Sequence, residues 1–306
     1  MTKVKDRVII RHQIYPIKEI HTMKKIVSLV LALLMLAGCA MFASCSSDKK
    51  VMIGVQAGTT GELFLKGDAD VGFEGYANVS TQSYDNAGLA VADMKNGNVK
   101  YVVIDAAVGK SLVATNSDIK LIDYALTKED FGIGVDKNQP ELLTKINDVL
   151  ASKKSEIAAL YDKYANVTDD NAATWSGTTI PAGTYDASKD QLVVATNAAF
   201  APYEFAVGNE YAGIDMELAK MIADELGMEL VISDMAFESV VTSIGKNGVD
   251  IAISGLTITP ARSKIINFST PYEEGSYQVI LTMKNDTTFD SCKSAEEVLA
   301  KLAALK

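Results

Sequence analysis

The chain has 306 residues, 48% of them hydrophobic and 22% charged, enough to bury a sizeable core in one or two domains. Its net charge of −10 speaks against nucleic acid, which rewards basic surfaces. Only Cys292 lies beyond residue 45, and both histidines, His12 and His21, precede Met23. No disulfide framework is expected. His-based triads, Cys–His dyads and most zinc sites are removed, and neither a cofactor nor a metal is called for.

Residues 1–22 form a polar upstream extension ahead of Met23, where translation has an alternative start. Lys24 and Lys25 then precede the apolar run Ile26 to Leu36, too short to span a bilayer comfortably. That pattern reads as a signal-peptide n-region and h-region over 23–39. Leu36-Ala37-Gly38-Cys39 resembles the bacterial lipobox, with Cys39 as the acylated residue. Phe42-Ala43-Ser44-Cys45 offers Cys45 as a weaker alternative, and an ordinary cleaved signal is the plain one. Residues 40–49 read as a tether.

From Lys50 onward, strand-like runs alternate with helical segments. Val51–Val55 reads as a buried strand, and Ala57–Gly61 as a tight turn opening a helix. Asn86 to Asn96 has helical spacing and stops at Gly97. Tyr101–Ile104 is a buried strand stopped by Asp105, and Phe131–Val135 is another strand. Leu142 to Tyr164 reads as helix in two pieces. Residues 166–189, rich in Asn, Thr, Gly, Asp and Ser, read as a linker on which Trp175 has a chance to pack. A second series follows. Strands are expected at 192–196, 229–232 and 250–254, and helices at 213–226, 237–245 and 294–306. Tyr277 to Met283 reads as an extended crossover. The alternation argues for α/β architecture with parallel sheets.

The second series carries Val194-Ala195-Thr196-Asn197-Ala198-Ala199-Phe200-Ala201-Pro202-Tyr203-Glu204-Phe205, Gly213-Ile214-Asp215, Ser254–Arg262 and Asn267–Tyr272. These stretches resemble the N-terminal half of the amino-acid-binding family of ABC-transporter extracellular solute-binding proteins, family 3. Ile53–Thr60, the strand ending at Asp105 and Phe131–Val135 resemble that family's C-terminal half. The halves stand in the reverse of the family's order, as a circular permutation would leave them. The resemblance implies a periplasmic-binding-protein-like fold of type II, two α/β lobes joined by two hinge crossovers. It places 50–122 plus 284–306 in lobe 2 and 128–165 plus 190–280 in lobe 1. Crossovers fall near Gln278–Lys284 and Asp123–Asp130, and 166–189 joins the family's original termini.

The resemblance also implies a site. Arg262 matches the arginine that grips a ligand carboxylate bidentately, with Thr257 and the backbone around Gly255 as further donors. Gly58, Thr59 and Thr60 open a helix whose free N–H groups favour an anion, and Thr60 matches the residue reaching the carboxylate from lobe 2. A plain Ser/Thr cap is compatible with both roles. Asp105 matches the aspartate that meets the ligand ammonium; a helix N-cap is the alternative. Phe200 and Phe237 match the pair flanking the ligand side chain, with core packing as the alternative. Asn197 stands where relatives that bind cationic side chains carry an acid. Glu204, Glu238 and Asp215 are assigned structural or solvated roles.

The function implied is capture of a free amino acid by a monomeric lipoprotein, anchored at the extracytoplasmic face of the membrane and serving ABC-transporter permease subunits. It is not an enzyme in this reading. A cyclohexadienyl (prephenate or arogenate) dehydratase on the same fold, or an amino-acid-sensing module, are the competing classes.

Overall fold

The computed structural model of the chain describes residues 50–306. The leader, Cys39, Cys45 and the tether lie outside them. Among the described residues no helix is long and apolar enough to cross a membrane.

The first series runs β1 (Val51–Gln56), α1 (Thr60–Lys66), β2 (Val79–Tyr84), α2 (Ala87–Lys95), β3 (Tyr101–Asp105), α3 (Ala106–Thr115) and β4 (Ile119–Ile122). Then come β5 (Glu129–Phe131), β6 (Gly134–Val135), α4 (Pro140–Ser152) and α5 (Lys154–Tyr164). Continuous apolar runs make β1 and β3 strands buried on both faces, as parallel strands under helices are. Thr59 and Asn86 start α1 and α2 by accepting backbone N–H groups of the first turn.

α6 (Asp169–Ala172) and β7 (Ile180–Pro181) follow. The second series is β8 (Gln191–Thr196), β9 (Ala199–Phe200), β10 (Glu204–Val207), β11 (Glu210–Ala212), α7 (Ile214–Leu226), β12 (Glu229–Asp234) and α8 (Phe237–Ser243). It ends with β13 (Ile251–Ala252), α9 (Pro260–Ser263), β14 (Asn267–Phe268), β15 (Glu273–Ser276), β16 (Gln278–Met283) and α10 (Ala295–Ala303).

Two five-stranded sheets result. The first has the order β2-β1-β3-β16-β4 and the second β12-β8-β13-β6-β14. In the first, β1 runs parallel to both of its neighbours, and in the second β8 does. The fourth strand of each sheet is antiparallel to the strands beside it and comes from the other series. The chain therefore crosses twice, and the crossings pair with each other as the β5–β15 ribbon. This is a two-lobe α/β fold, periplasmic-binding-protein-like and of type II.

Several boundaries differ from those read in the sequence. Gln278–Met283 is not a crossover but an inner strand of the first sheet, between β3 and β4, because its apolar run is needed there. The crossing lies one step earlier, at Glu273–Ser276. Phe131–Val135 is not one strand: Phe131 ends the ribbon and Gly134 starts β6. The linker is structured. β7 pairs with β11, α6 packs on α3 and β10, and Trp175 stacks on Tyr164 with ring centroids 4.9 Å apart.

Ile280 is wholly buried in β16, the strand that the second series lends to the first sheet. Ile280→Ala is expected to cost about 3 kcal/mol in urea unfolding. Fluorescence of Trp175, the single tryptophan, should shift together with far-UV circular dichroism. A shift in dichroism alone would show that the linker folds apart from the sheets.

Candidate functional site

In open α/β sheets ligands meet the carboxyl ends of the strands. Here the carboxyl ends of β1, β3 and β8 and the turn after β13 converge between the two sheets. Gln56, Thr59, Thr60 and Asp105 from the first sheet line one cavity with Phe200, Phe237, Gly255, Thr257 and Arg262 from the second. The space left between these side chains is about 10 Å³, on the order of one water molecule, so they nearly fill it.

Arg262 sits in the short helix α9, which Thr259 caps by accepting the Arg262 N–H. Its guanidinium is buried. Nη1 donates to the Thr257 carbonyl at 2.8 Å, and Nη2 donates across the cleft to the Gly58 carbonyl at 3.1 Å. The guanidinium carbon lies 5.4 Å from the Phe237 ring centroid, a cation–π contact. No carboxylate lies within ion-pair distance of it among the described residues. Burial lowers its pKa to about 10, against the charges of Glu129 and Asp105. The group stays cationic, and the cleft presents a buried positive charge.

Asp105 ends β3 and occupies the N-cap position of α3, yet its side chain makes no capping hydrogen bond. The residue is 5% exposed, and Oδ1 has no partner. Burial raises its pKa well above the usual range, and the Glu129 charge adds to this; the Gln278 amide and Arg262 pull the other way. An ammonium placed here would supply the missing donor and let the carboxyl ionise.

Two contacts tie the lobes beside these charges. Thr60 Oγ1 lies 3.1 Å from Thr257 Oγ1, and Gln56 Nε2 donates to Asn197 Oδ1 at 2.9 Å. Asn197 Nδ2 donates to the Met235 carbonyl, so both ends of that amide are engaged; Asn197 is not among the lining residues. Thr59 Oγ1 donates to the Gln56 carbonyl and accepts from Glu62 N, as a cap. Gly58 N–H is taken by Glu62 Oε2 at 2.7 Å, not held free for an anion. Its φ is +75°, and a Cβ at this position would sit 3.0 Å from Glu238 Cα, which explains why glycine stands where the lobes touch.

Gly255 differs from the expectation. Its N–H donates to Asp215 Oδ2 at 2.7 Å and is not available to a ligand. The residue matters through shape: φ is +49°, and a Cβ would come within 2.7 Å of Phe200. Phe200 both lines the cavity and packs in the core, stacked on Tyr203. Phe237 lines the cavity half-buried.

Two residues of the site escaped the sequence reading. Gln56 lines the cavity; its place at the carboxyl end of β1 was the available signal. Glu129, in the ribbon, is 3% exposed and accepts from Thr257 Oγ1 at 2.7 Å and Thr127 Oγ1 at 2.6 Å. Thr127-Lys128-Glu129-Asp130 falls in the expected crossover, a polar and charged stretch, and nothing local announces that pairing with β15 turns Glu129 inward.

Residues 192–305 match the family of bacterial extracellular solute-binding proteins, family 3. The arginine-binding extracellular protein ArtP of Bacillus subtilis (strain 168) is 34% identical over 108 residues, covering 35% of this chain and 42% of that protein. ABC transporter arginine-binding protein 1 of Escherichia coli (strain K12) is 35% identical over 105 residues, 34% of this chain and 43% of that protein. The arginine-bound structure of truncated ArgBP from T. maritima is 44% identical over 27% of this chain and 40% of that chain, with a TM-score of 0.26. The chain thus spans less than half the length of the curated relatives it matches.

Gly255→Ala is expected to lower stability by about 2 kcal/mol through backbone strain and the clash with Phe200. Adding Phe200→Leu should recover the steric part in a double-mutant cycle of urea denaturation. Full additivity of the two losses would refute the contact.

Proposed function

We infer that this chain, whose residues 192–305 match the bacterial extracellular solute-binding proteins, family 3, captures a free amino acid between its lobes for an ABC importer. The observation that carries this is one cavity lined from both sheets by a buried Arg262 without an ion pair and an Asp105 with an unpartnered oxygen. A zwitterion carries the two complements. Its carboxylate suits the guanidinium, which keeps donors beyond its two carbonyl bonds. Its ammonium suits Asp105, while Thr60 and Thr257, assigned to the carboxylate end, line the same cavity bonded to each other, and Thr257 also to Glu129. Phe200 and Phe237 would flank the side chain. Gly58, Thr59, Gly255 and Asn197 would shape and latch the cleft rather than meet the charges of the ligand.

Because contacts come from both lobes, binding favours the closed arrangement, and closure is the signal for permease subunits. The names of the relatives, arginine-binding proteins of transporters, support the amino-acid class and an extracytoplasmic address. No observation favours the dehydratase reading. Anchoring through Cys39, or Cys45, belongs to the same proposal and rests on residues outside those described. So does circular permutation. It is supported by a family match confined to 192–305 and by a first sheet built largely from 51–122. In that arrangement 166–189 bridges the family's original ends within one molecule.

A thermal-shift screen of the common amino acids with cystine and ornithine should find a ligand. Calorimetry with that ligand should show Arg262→Ala and Asp105→Ala each losing about 3 kcal/mol or more, since each leaves a buried charge unpaired. Near-native affinity in either would refute the site. Size-exclusion chromatography with light scattering should show a monomer; a dimer stable on dilution would favour pairing of the halves between molecules.

A further inference from the structure

Behind the cleft, in the second sheet's layer, lie two carboxyls that the ligand reading does not use. Glu204 on β10 and Asp215 in the first turn of α7 are both 0% exposed. Asp215 Oδ2 accepts from Gly255 N at 2.7 Å and from the Tyr272 hydroxyl at 2.9 Å, while Oδ1 has no donor. Glu204 Oε1 accepts from Ser254 Oγ at 2.7 Å, while Oε2 has none. The two carboxyls accept from consecutive residues of one turn, Ser254 and Gly255, which sets them side by side. Neither forms an ion pair with a Lys or Arg among the described residues.

The titratable groups that act most on them are acids and phenols. Tyr203 precedes β10, Tyr161 comes from α5, and Tyr272 and Glu273 come from the stretch leading into β15; Asp105 acts on Glu204 from the first sheet. Two adjacent carboxylates in dry protein repel each other and lack hydration. One proton between them removes a charge and satisfies both bare oxygens. Asp215, with two donors already, is the better carboxylate; Glu204, with one hydroxyl donor, is the better acid.

We propose that Glu204 and Asp215 share one proton, Glu204 donating to Asp215, and that this pair is the positioning element of the ligand platform. Asp215 holds the Gly255 N–H. Glu204 holds Ser254, whose Oγ accepts from Asn197 N at 3.1 Å. The pair thereby fixes the ends of β8 and β13 from which Asn197, Gly255 and Thr257 face the other lobe. The electrostatics agree. Burial pushes Glu204 well above the usual carboxylate range, and the Asp215 charge adds to this. Burial raises Asp215 only to about 6, because Gly255, Tyr272 and Glu204 stabilise its charge.

A carboxyl whose pKa is raised on folding stabilises the protein fully below its unfolded value. That contribution falls as pH rises through the folded value, by up to about tenfold in the folding constant per pH unit. Wild-type stability is therefore expected to decline on the alkaline side. In Glu204→Gln, whose amide donates to Asp215 without titrating, that decline should be shallower, leaving the part due to Asp105. Infrared difference spectra of wild type minus Glu204→Gln at neutral pH should show the C=O stretch of one protonated carboxyl, beyond the signal that Asp105 gives in both. Should that variant fail to fold, Asp215→Asn, whose amide supplies Glu204 with a donor, should lose the same band. L-arginine, titrated as probe, should lose affinity at alkaline pH in wild type and lose less of it in Glu204→Gln. The idea is overturned if the folded variants show the full wild-type protonated-carboxyl intensity, or if the alkaline decline of Glu204→Gln is as steep as that of wild type. The infrared and stability readings need no ligand, so they stand or fall apart from the amino-acid reading.

Discussion

A guanidinium does not shed its charge in a protein, so burying Arg262 obliges the surrounding chain to supply acceptors. That obligation organises the cleft. One acceptor is the Thr257 carbonyl in its own lobe, and the other is the Gly58 carbonyl in the opposite lobe. Both are dipoles, not ions. The charge is therefore hydrogen-bonded but not neutralised, and Glu129 and Asp105 offset it only at longer range. A fold that keeps a cation in this condition is held ready for an anion, and the lobes must approach for Gly58 to reach it.

The same arithmetic governs the acids. Glu129 is tied down by two threonine hydroxyls, whereas Asp105 keeps a bare oxygen. Of two buried carboxyls near one guanidinium, the one with donors is the better placed to hold charge and the other to wait for a donor. The fully buried acids behind the platform extend the pattern. Here again the hydrogen-bond count, more than proximity to a cation, separates the two members of a pair.

Much of this was legible in the residues. The apolar runs of β1, β3 and β8 marked buried parallel strands, and the strand ends pointed to Asp105 and the Gly58–Thr60 turn. Thr257, Arg262, Phe200 and Phe237 followed from the family resemblance, and all four line the one cavity. What stayed hidden was whatever depends on distant partners. Thr60 and Thr257 are 197 residues apart in the chain, and Gln56 and Asn197 are 141 apart. Glu129 looks like part of a charged crossover until pairing with β15 turns it inward. Gly255 looked like a donor to ligand until α7 brought Asp215 beneath it. Met283 and its predecessors looked like a crossing because sheet membership is a property of pairing, which local composition does not encode.

The β5–β15 ribbon has a geometric consequence. Its strands are the two passages between the lobes, and they are bonded to each other through Glu273 opposite Phe131 and Glu274 opposite Asp130. The pairing slips between Glu274 and Ser276, at Gly275, whose φ is +79°. Two adjacent passages leave the lobes one easy degree of freedom, rotation about a line near the ribbon, and resist sliding or pulling apart. Any body touching both lobes at once would then sense an angle, and could tell two positions of the same molecule apart without contacting the cavity.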